Sequence, residues 1–335
     1  MSERDLSAPP DDFIQSFKAA PLTLRGRLLR LGPSIDSILR QHGYPQPVAS
    51  VLGEALTLAA LLAATLKYDG VFTLQTKGDG AVSLLVADVT SEGALRGYAQ
   101  YDGDRLATIA APGQPGPSAS VPRLLGAGYL AFTVDQGTHT ERYQGIVELT
   151  GVTLADCAHH YFRQSEQLET GIRIAVGQGV DGAWRTGGLL VQRLPPAGGE
   201  VAALSPRQDE DEAEDGWRRA LVMVGSAATS ELLDPGLAAE MLLYRLFHEK
   251  GVRVWPPKSL RHSCHCSPHR VEAMLRQLQP TELADLLVDG KLIITCEYCN
   301  ARYTYDDHAL LRLDPKATGA QFVQHRDVDK RRNPR

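Results

Sequence analysis

Apolar and polar positions change period along this chain, and the changes mark its elements. Val71-Phe72-Thr73-Leu74-Gln75-Thr76 reads as a strand running into a Lys77-Gly78-Asp79-Gly80 turn. Val82 to Ala87 follows at hairpin spacing. Further strands are predicted at Leu95 to Tyr101, Leu130 to Val134 and Tyr143 to Leu149. Helices are predicted over Pro47 to Lys67 and Thr153 to Gln164. Thr153 is placed to cap the second, with Asp156 three residues on. The first contains the longest apolar stretch, Leu56 to Leu66, bounded by Glu54 and Lys67. It is about half a membrane span, so it reads as a buried helix. This part is predicted to be an α+β domain with a mostly antiparallel sheet.

After Gln192 the pattern shifts. Leu194 to Gly199 is rich in Pro and Gly, and Asp209 to Asp215 is a dense acidic run, so a flexible, solvated joint is predicted there. Trp217, Ala220, Leu221, Val224 and Ala228 then recur at helical spacing until Asp234-Pro235-Gly236 breaks it. A second helix is predicted from Leu237 to His248, and Trp255-Pro256-Pro257 closes the segment. Beyond it, short helices are expected at Pro268 to Leu278 and Thr281 to Leu287, and a strand at Lys291 to Thr295. The implied organisation is a disordered lead over 1–12, an α+β core over 13–199, and an acidic joint with a helical linker over 200–258. A small cysteine domain over 259–320 and a basic tail over 321–335 complete it.

Bulk composition narrows the function. A chain of 335 residues with 43% hydrophobic residues can bury a core, so wholesale disorder is excluded. A net charge of −5 argues against a general nucleic-acid binder. The N-terminus is charged and Pro-rich with no apolar core, so no signal peptide is expected. The cytosol is the expected location, with no membrane partner. There, paired cysteines point to metal or redox chemistry.

Four of the five cysteines form two tight pairs, Cys264-His265-Cys266 and Cys296-Glu297-Tyr298-Cys299, about thirty residues apart. In an extended segment, side chains two apart project to one face, so Cys264 and Cys266 can serve one ion together. The second pair has the spacing of a metal knuckle. Four thiolates suit one tetrahedral Zn2+ with Zn–S near ~2.3 Å. A reactive dithiol without metal and four unrelated core thiols are the alternatives. His262, His265 and His269 lie nearby, but with four thiolates available they are read as supporting or surface groups. Cys157 falls on a stripe with Leu154, Ala158 and Tyr161 and reads as core. Gly126-Ala127-Gly128 lacks the rest of a nucleotide fingerprint and reads as a tight turn.

The pattern CxC, about thirty residues, CxxC resembles that of the redox-regulated chaperone heat shock protein 33 family, the 33-kDa chaperonins. Tyr68-Asp69-Gly70, the hairpin around Gly78-Asp79-Gly80, Arg96-Gly97 and Tyr143 to Val147 resemble the family's core. The most specific match is Tyr161-Phe162-Arg163-Gln164-Ser165-Glu166-Gln167-Leu168. The resemblance covers about Phe13 to Leu313. It implies an ATP-independent holdase for unfolded client proteins, inactive when reduced and zinc-bound. Oxidation would form Cys264–Cys266 and Cys296–Cys299 disulfides, release zinc and unfold the linker, here about Gly216 to Trp255. The active form would be a homodimer. The acidic insertion Asp209 to Asp215 and the end after Leu313 are longer than the family pattern.

No catalytic constellation stands out, and the chain is not read as an enzyme. Three rival readings remain on the residues: a zinc ribbon binding nucleic acid through Arg302, Tyr303 and Tyr305, a thiol–disulfide oxidoreductase using Cys296 and Cys299, and a constitutive structural zinc protein.

Overall fold

The computed structural model describes residues 11–19, 22–109, 120–136, 143–194, 206–248 and 251–313. Two compact units divide at Ser263/Cys264. The expected lead and basic tail lie outside the described residues, except that Asp11 and Asp12 are fixed. Asp12 accepts from the backbone N–H groups of Gly32 and Ser34, both at 2.9 Å.

The first unit opens with β1 (Phe13–Ala19), β2 (Leu24–Leu31), α1 (Pro33–Arg40) and α2 (Gln46–Ala63). Strands β3 (Val71–Gly78), β4 (Val82–Thr90) and β5 (Ala94–Tyr101) follow, then short helices α3 (Gly103–Ile109) and α4 (Val121–Leu124). Next come β6 (Gly128–Asp135), β7 (Tyr143–Glu148), α5 (Leu154–Tyr161), a π-helical turn (Phe162–Glu166), β8 (Thr170–Gln178) and β9 (Trp184–Arg193). Helices α6 (Pro206–Ser226), α7 (Thr229–Leu233) and α8 (Ala239–Phe247) lead to three two-residue strands, β10 (Arg253–Val254), β11 (Lys258–Ser259) and β12 (Arg261–His262).

These strands build two sheets. One runs β12-β5-β4-β3-β6-β7 and contains every strand expected from the sequence in this unit. The other runs β10-β1-β2-β9-β8, with β11 also on β1. Pairing is antiparallel throughout except between β12 and β5. The second sheet has no counterpart in the sequence reading. Its central strands β2 and β9 are covered on both faces, so the period-two alternation that betrays a half-buried strand is missing there.

Helix α2 is apolar all round because it is buried all round. It packs between the sheets, with Leu52, Leu56 and Leu61 among Leu29, Leu190, Leu74 and Leu85. It is long and apolar enough to cross a membrane, yet it is the core helix of this unit. On the other face of β1-β2-β9-β8 lie α6, α7 and α8. Trp217, Val224, Leu232, Leu242, Leu243 and Phe247 bury against Phe17, Leu28, Leu189 and Val191. The rings of Phe17 and Phe247 stand 5.5 Å apart.

The acidic run Asp209 to Asp215 belongs to α6 rather than to an irregular joint. Glu214 and Asp215 pair one turn on with Arg218 and Arg219, at 3.2 and 2.8 Å. The residues expected as a Pro/Gly-rich joint lie mostly outside those described.

Among the described residues, the second unit holds α9 (Pro268–Leu275), α10 (Pro280–Asp285), the antiparallel pair β13 (Lys291–Thr295) and β14 (Arg302–Asp306), and α11 (Asp307–Leu313). Its buried apolar residues are Leu275, Leu283, Leu292, Tyr305 and Leu310. So small a core is below what usually holds a domain without a disulfide or metal.

Candidate metal centre

The second unit brings its two cysteine pairs together. Cys264 and Cys266 sit in the extended segment before α9, which Ser267 caps through Oγ at 3.3 Å from Arg270 N. Cys296 and Cys299 sit on the connection between β13 and β14. Its turn is closed by Asn300 N–H donating to Cys296 O and Cys296 N–H donating to Ala301 O, both at 2.9 Å. Asn300 takes the left-handed conformation, φ 55°, that turns the chain back into β14.

All four sulfurs lie within 4.8 Å of one another and all four residues are half-buried. Cys264 Sγ is 3.7 Å from Cys296 Sγ, and Cys266 Sγ is 3.2 Å from Cys299 Sγ. An edge of a ZnS4 tetrahedron is about 3.8 Å, whereas a disulfide needs about 2.05 Å. All four thiols are free. The nearest contacts run across the two sequence pairs, so the four act as one cluster.

The electrostatics fit a cation. Burial pushes the Cys264 thiol up. Burial and the three neighbouring cysteines push Cys299 up as well. Burial opposes ionisation at Cys266 too, but hydrogen bonds from Tyr303 and the other cysteines hold it down at about 7. One thiolate is therefore favoured while Cys264 and Cys299 resist, which a soft dication at the centre would relieve. The donor set thus positions the four cysteines to hold a metal ion.

Tyr303, on β14, was not legible as part of the site. Its hydroxyl donates to Cys266 Sγ at 3.1 Å, and that bond pushes the phenol up to about 12. Tyr305 is in the core of the unit. Both aromatics that a nucleic-acid reading would use are thereby engaged. His269 is exposed. His262 belongs to the first unit, where its Nδ1 lies 3.2 Å from Ser37 Oγ and burial lowers its pKa.

The remaining residues singled out by sequence have structural roles. Cys157 is fully buried. Thr153 and Asp156 form the expected capping box. Gly126, at φ +67°, sits in a turn held by Ala127 N–H donating to Asp79 Oδ1 at 2.8 Å. The run Tyr161 to Leu168 ends α5 in the π-helical turn, with Gln167 left-handed at φ 52°. That turn returns Glu166 to Tyr161, whose hydroxyl donates to the carboxylate at 2.8 Å, and Tyr143 meets both.

Comparison with known proteins agrees with this arrangement. The family model described as Hsp33 protein matches residues 12–306. The chain is 40% identical over 300 residues to a protein of Caulobacter vibrioides named 33 kDa chaperonin, covering 88% of this chain and 95% of that one. It is 38% identical over 300 residues to a Pseudomonas fluorescens protein of the same name, covering 89% and 92%. The crystal structure of the Thermotoga maritima 33 kDa chaperonin superposes with a TM-score of 0.68 at 23% identity, covering 94% of this chain and all of the other.

Proposed function

We propose a mechanism from a plain premise: the chain belongs to the Hsp33 protein family and is a chaperone. In our reading it is a cytosolic, ATP-independent holdase for unfolded proteins, switched by oxidation. The functional parts are a core over 13–199, a linker over 200–258, a redox domain over 259–320 and a basic tail over 321–335. The resting form holds one Zn2+ on Cys264, Cys266, Cys296 and Cys299. The carrying observation is the convergence of those four free thiols beside a core of five buried residues. A unit so built depends on its metal for its fold, since metal-binding energy is folding energy in small modules.

Bound zinc supplies charge compensation for four thiolates. Peroxide is the oxidant. Each disulfide takes two electrons from one thiolate pair and reduces one peroxide to two waters, consuming two protons. The pairs are Cys264–Cys266 and Cys296–Cys299. A sulfur bonded to its neighbour is no longer a thiolate, so the donor set for Zn2+ is lost. Closing the first pair also requires the backbone to bend, because extended residues two apart hold their Cα atoms near the ~6.8 Å upper limit.

The segment from the linker to the cysteines is secured by β10, β11 and β12, each two residues long. So few pairings place it at the low-stability end of the molecule. Loss of this anchorage frees α6 to α8 and exposes the apolar faces of both helices and sheet, an adhesive surface for unfolded chains. The oxidised form is a homodimer. No catalytic activity is assigned.

The test is to treat the zinc-loaded chain with peroxide and map its thiols by mass. Two disulfides within the sequence pairs, together with suppression of aggregation of an unfolded protein without ATP, support the proposal. Suppression by the reduced zinc form at equal strength would overturn the switch.

A further inference from the structure

The face of β1-β2-β9-β8 beneath α6 to α8 is apolar, yet polar side chains rise from it, among them Gln15, Arg30 and Arg173; Arg193, on the same face of β9, pairs instead with the carboxylates of Glu169 and Glu214. Gln15 and Arg30 are each only 2% exposed. What they grip is the main chain. Arg30 donates to the carbonyls of Glu231 (3.1 Å) and Leu237. Arg173 Nε donates to the Ala227 carbonyl at 3.5 Å, and Gln15 Nε2 donates to the Trp255 carbonyl at 3.2 Å. Gln15 Nε2 also reaches the Glu240 carboxylate at 2.9 Å, and Arg173 reaches Thr229 Oγ1 at 3.4 Å. Arg30 Nε and Gln15 Oε1 are buried with no hydrogen-bond partner, so the face offers more polar capacity than the helices use.

Chemistry directed at carbonyls is indifferent to sequence. Main-chain hydrogen bonds give affinity to any polypeptide, while apolar neighbours accept its side chains. The resting occupant demonstrates the fit, because α7 and its flanks lie there by their own carbonyls. When they leave, Arg30 loses both acceptors and also the nearby charges of Asp234 and Glu240, keeping only Asp11, which pairs with Arg185. On the exposed face its donors meet water and are free to exchange it for other carbonyls.

We propose that the vacated sheet face binds unfolded polypeptide through its main-chain carbonyls, with Arg30, Arg173 and Gln15 as the donors and Phe13, Phe17 and Leu28 taking side chains. The inference rests on the oxidative release proposed above. The linker is then a tethered mimic of the client, displaced by oxidation and replaced in kind.

The test uses the full oxidised chain and two fluorescent apolar peptides of one sequence. The first has ordinary amides; in the second, alternate amides are esters, whose carbonyls accept more weakly. The wild type should bind the amide peptide about tenfold more tightly, ~1.4 kcal/mol. Arg30→Met with Arg173→Met should erase most of that preference, as Met retains an apolar stem but offers no donor. If the double variant does not fold, Arg173→Met alone serves, lowering the preference about threefold.

Equal binding of both peptides by wild type that still suppresses aggregation would overturn the inference and leave the holdase standing. So would tighter binding of an acidic peptide with no amide preference. Oxidised wild type that neither binds peptide nor suppresses aggregation would defeat the holdase reading, and this inference with it.

Discussion

Gly187, on β9, lies directly beneath the carbonyl of Leu232 in α7, with no room for a Cβ between them. At this point the linker meets the sheet backbone against backbone. Gly187→Ala must push α7 outward, and overpacking of this kind costs about 1–3 kcal/mol. In the reduced, zinc-loaded variant, amides of 229–247 should exchange on the order of tenfold faster or more, with zinc content unchanged. Wild-type protection in the variant would mean that this contact does not seat the linker.

The four clustered cysteines and the lone one should behave differently. Cys296→Ser removes a thiolate from a unit with five buried apolar residues among those described. Metal content should fall well below one per chain, and the amides of β13 and β14 should lose protection. Cys157→Ala, fully buried in the first unit, should retain full zinc and cost about 1 kcal/mol of thermal stability. Metal analysis and hydrogen exchange on the two variants check both outcomes.

Tyr303→Phe deletes one hydrogen bond to Cys266 Sγ and leaves all four sulfurs in place. Partners of this kind typically contribute about 10-fold or more in metal affinity. Competition with a chromogenic chelator should show weaker zinc at unchanged stoichiometry. Unaltered affinity would reduce Tyr303 to a packing residue.

Glu54, on α2, accepts from the N–H of Ala155 at 3.2 Å, and burial pushes its carboxyl up to about 7 from an ordinary 4.5. The folded chain therefore holds a proton that the unfolded chain releases between pH 4.5 and about 7. Stability from this group is present at low pH, declines as pH rises through that window, and is level above it. Glu54→Gln should flatten the decline and be more stable than wild type at pH 8 by about 1–2 kcal/mol. Chemical denaturation at pH 5 and pH 8 reads the difference.

The metal cluster was legible because thiolate chemistry constrains spacing, and Cys264, Cys266, Cys296 and Cys299 carry that spacing openly. The sheet around β3 and β4 was legible because turn residues punctuate it. The other sheet was not. Leu24-Arg25-Gly26-Arg27-Leu28-Leu29-Arg30-Leu31 shows no alternation, since α2 covers one face and the linker the other. Its arginines carry no local signal of their partners. Arg27 donates to the Ala64 carbonyl at 3.1 Å, and Arg30 holds the linker. Tyr303 was hidden for a related reason: its role is set by the pairing of β14 with β13, which no local pattern announces.

The most direct test of the redox switch follows zinc and activity in one sample. The reduced chain, with its zinc measured, is treated with peroxide at mildly raised temperature. A chelator reports metal release while light scattering reports aggregation of an unfolded model protein without ATP. Zinc near one per chain should be lost over the same time course in which suppression appears. Zinc that survives oxidation, or suppression that precedes its release, would contradict the switch.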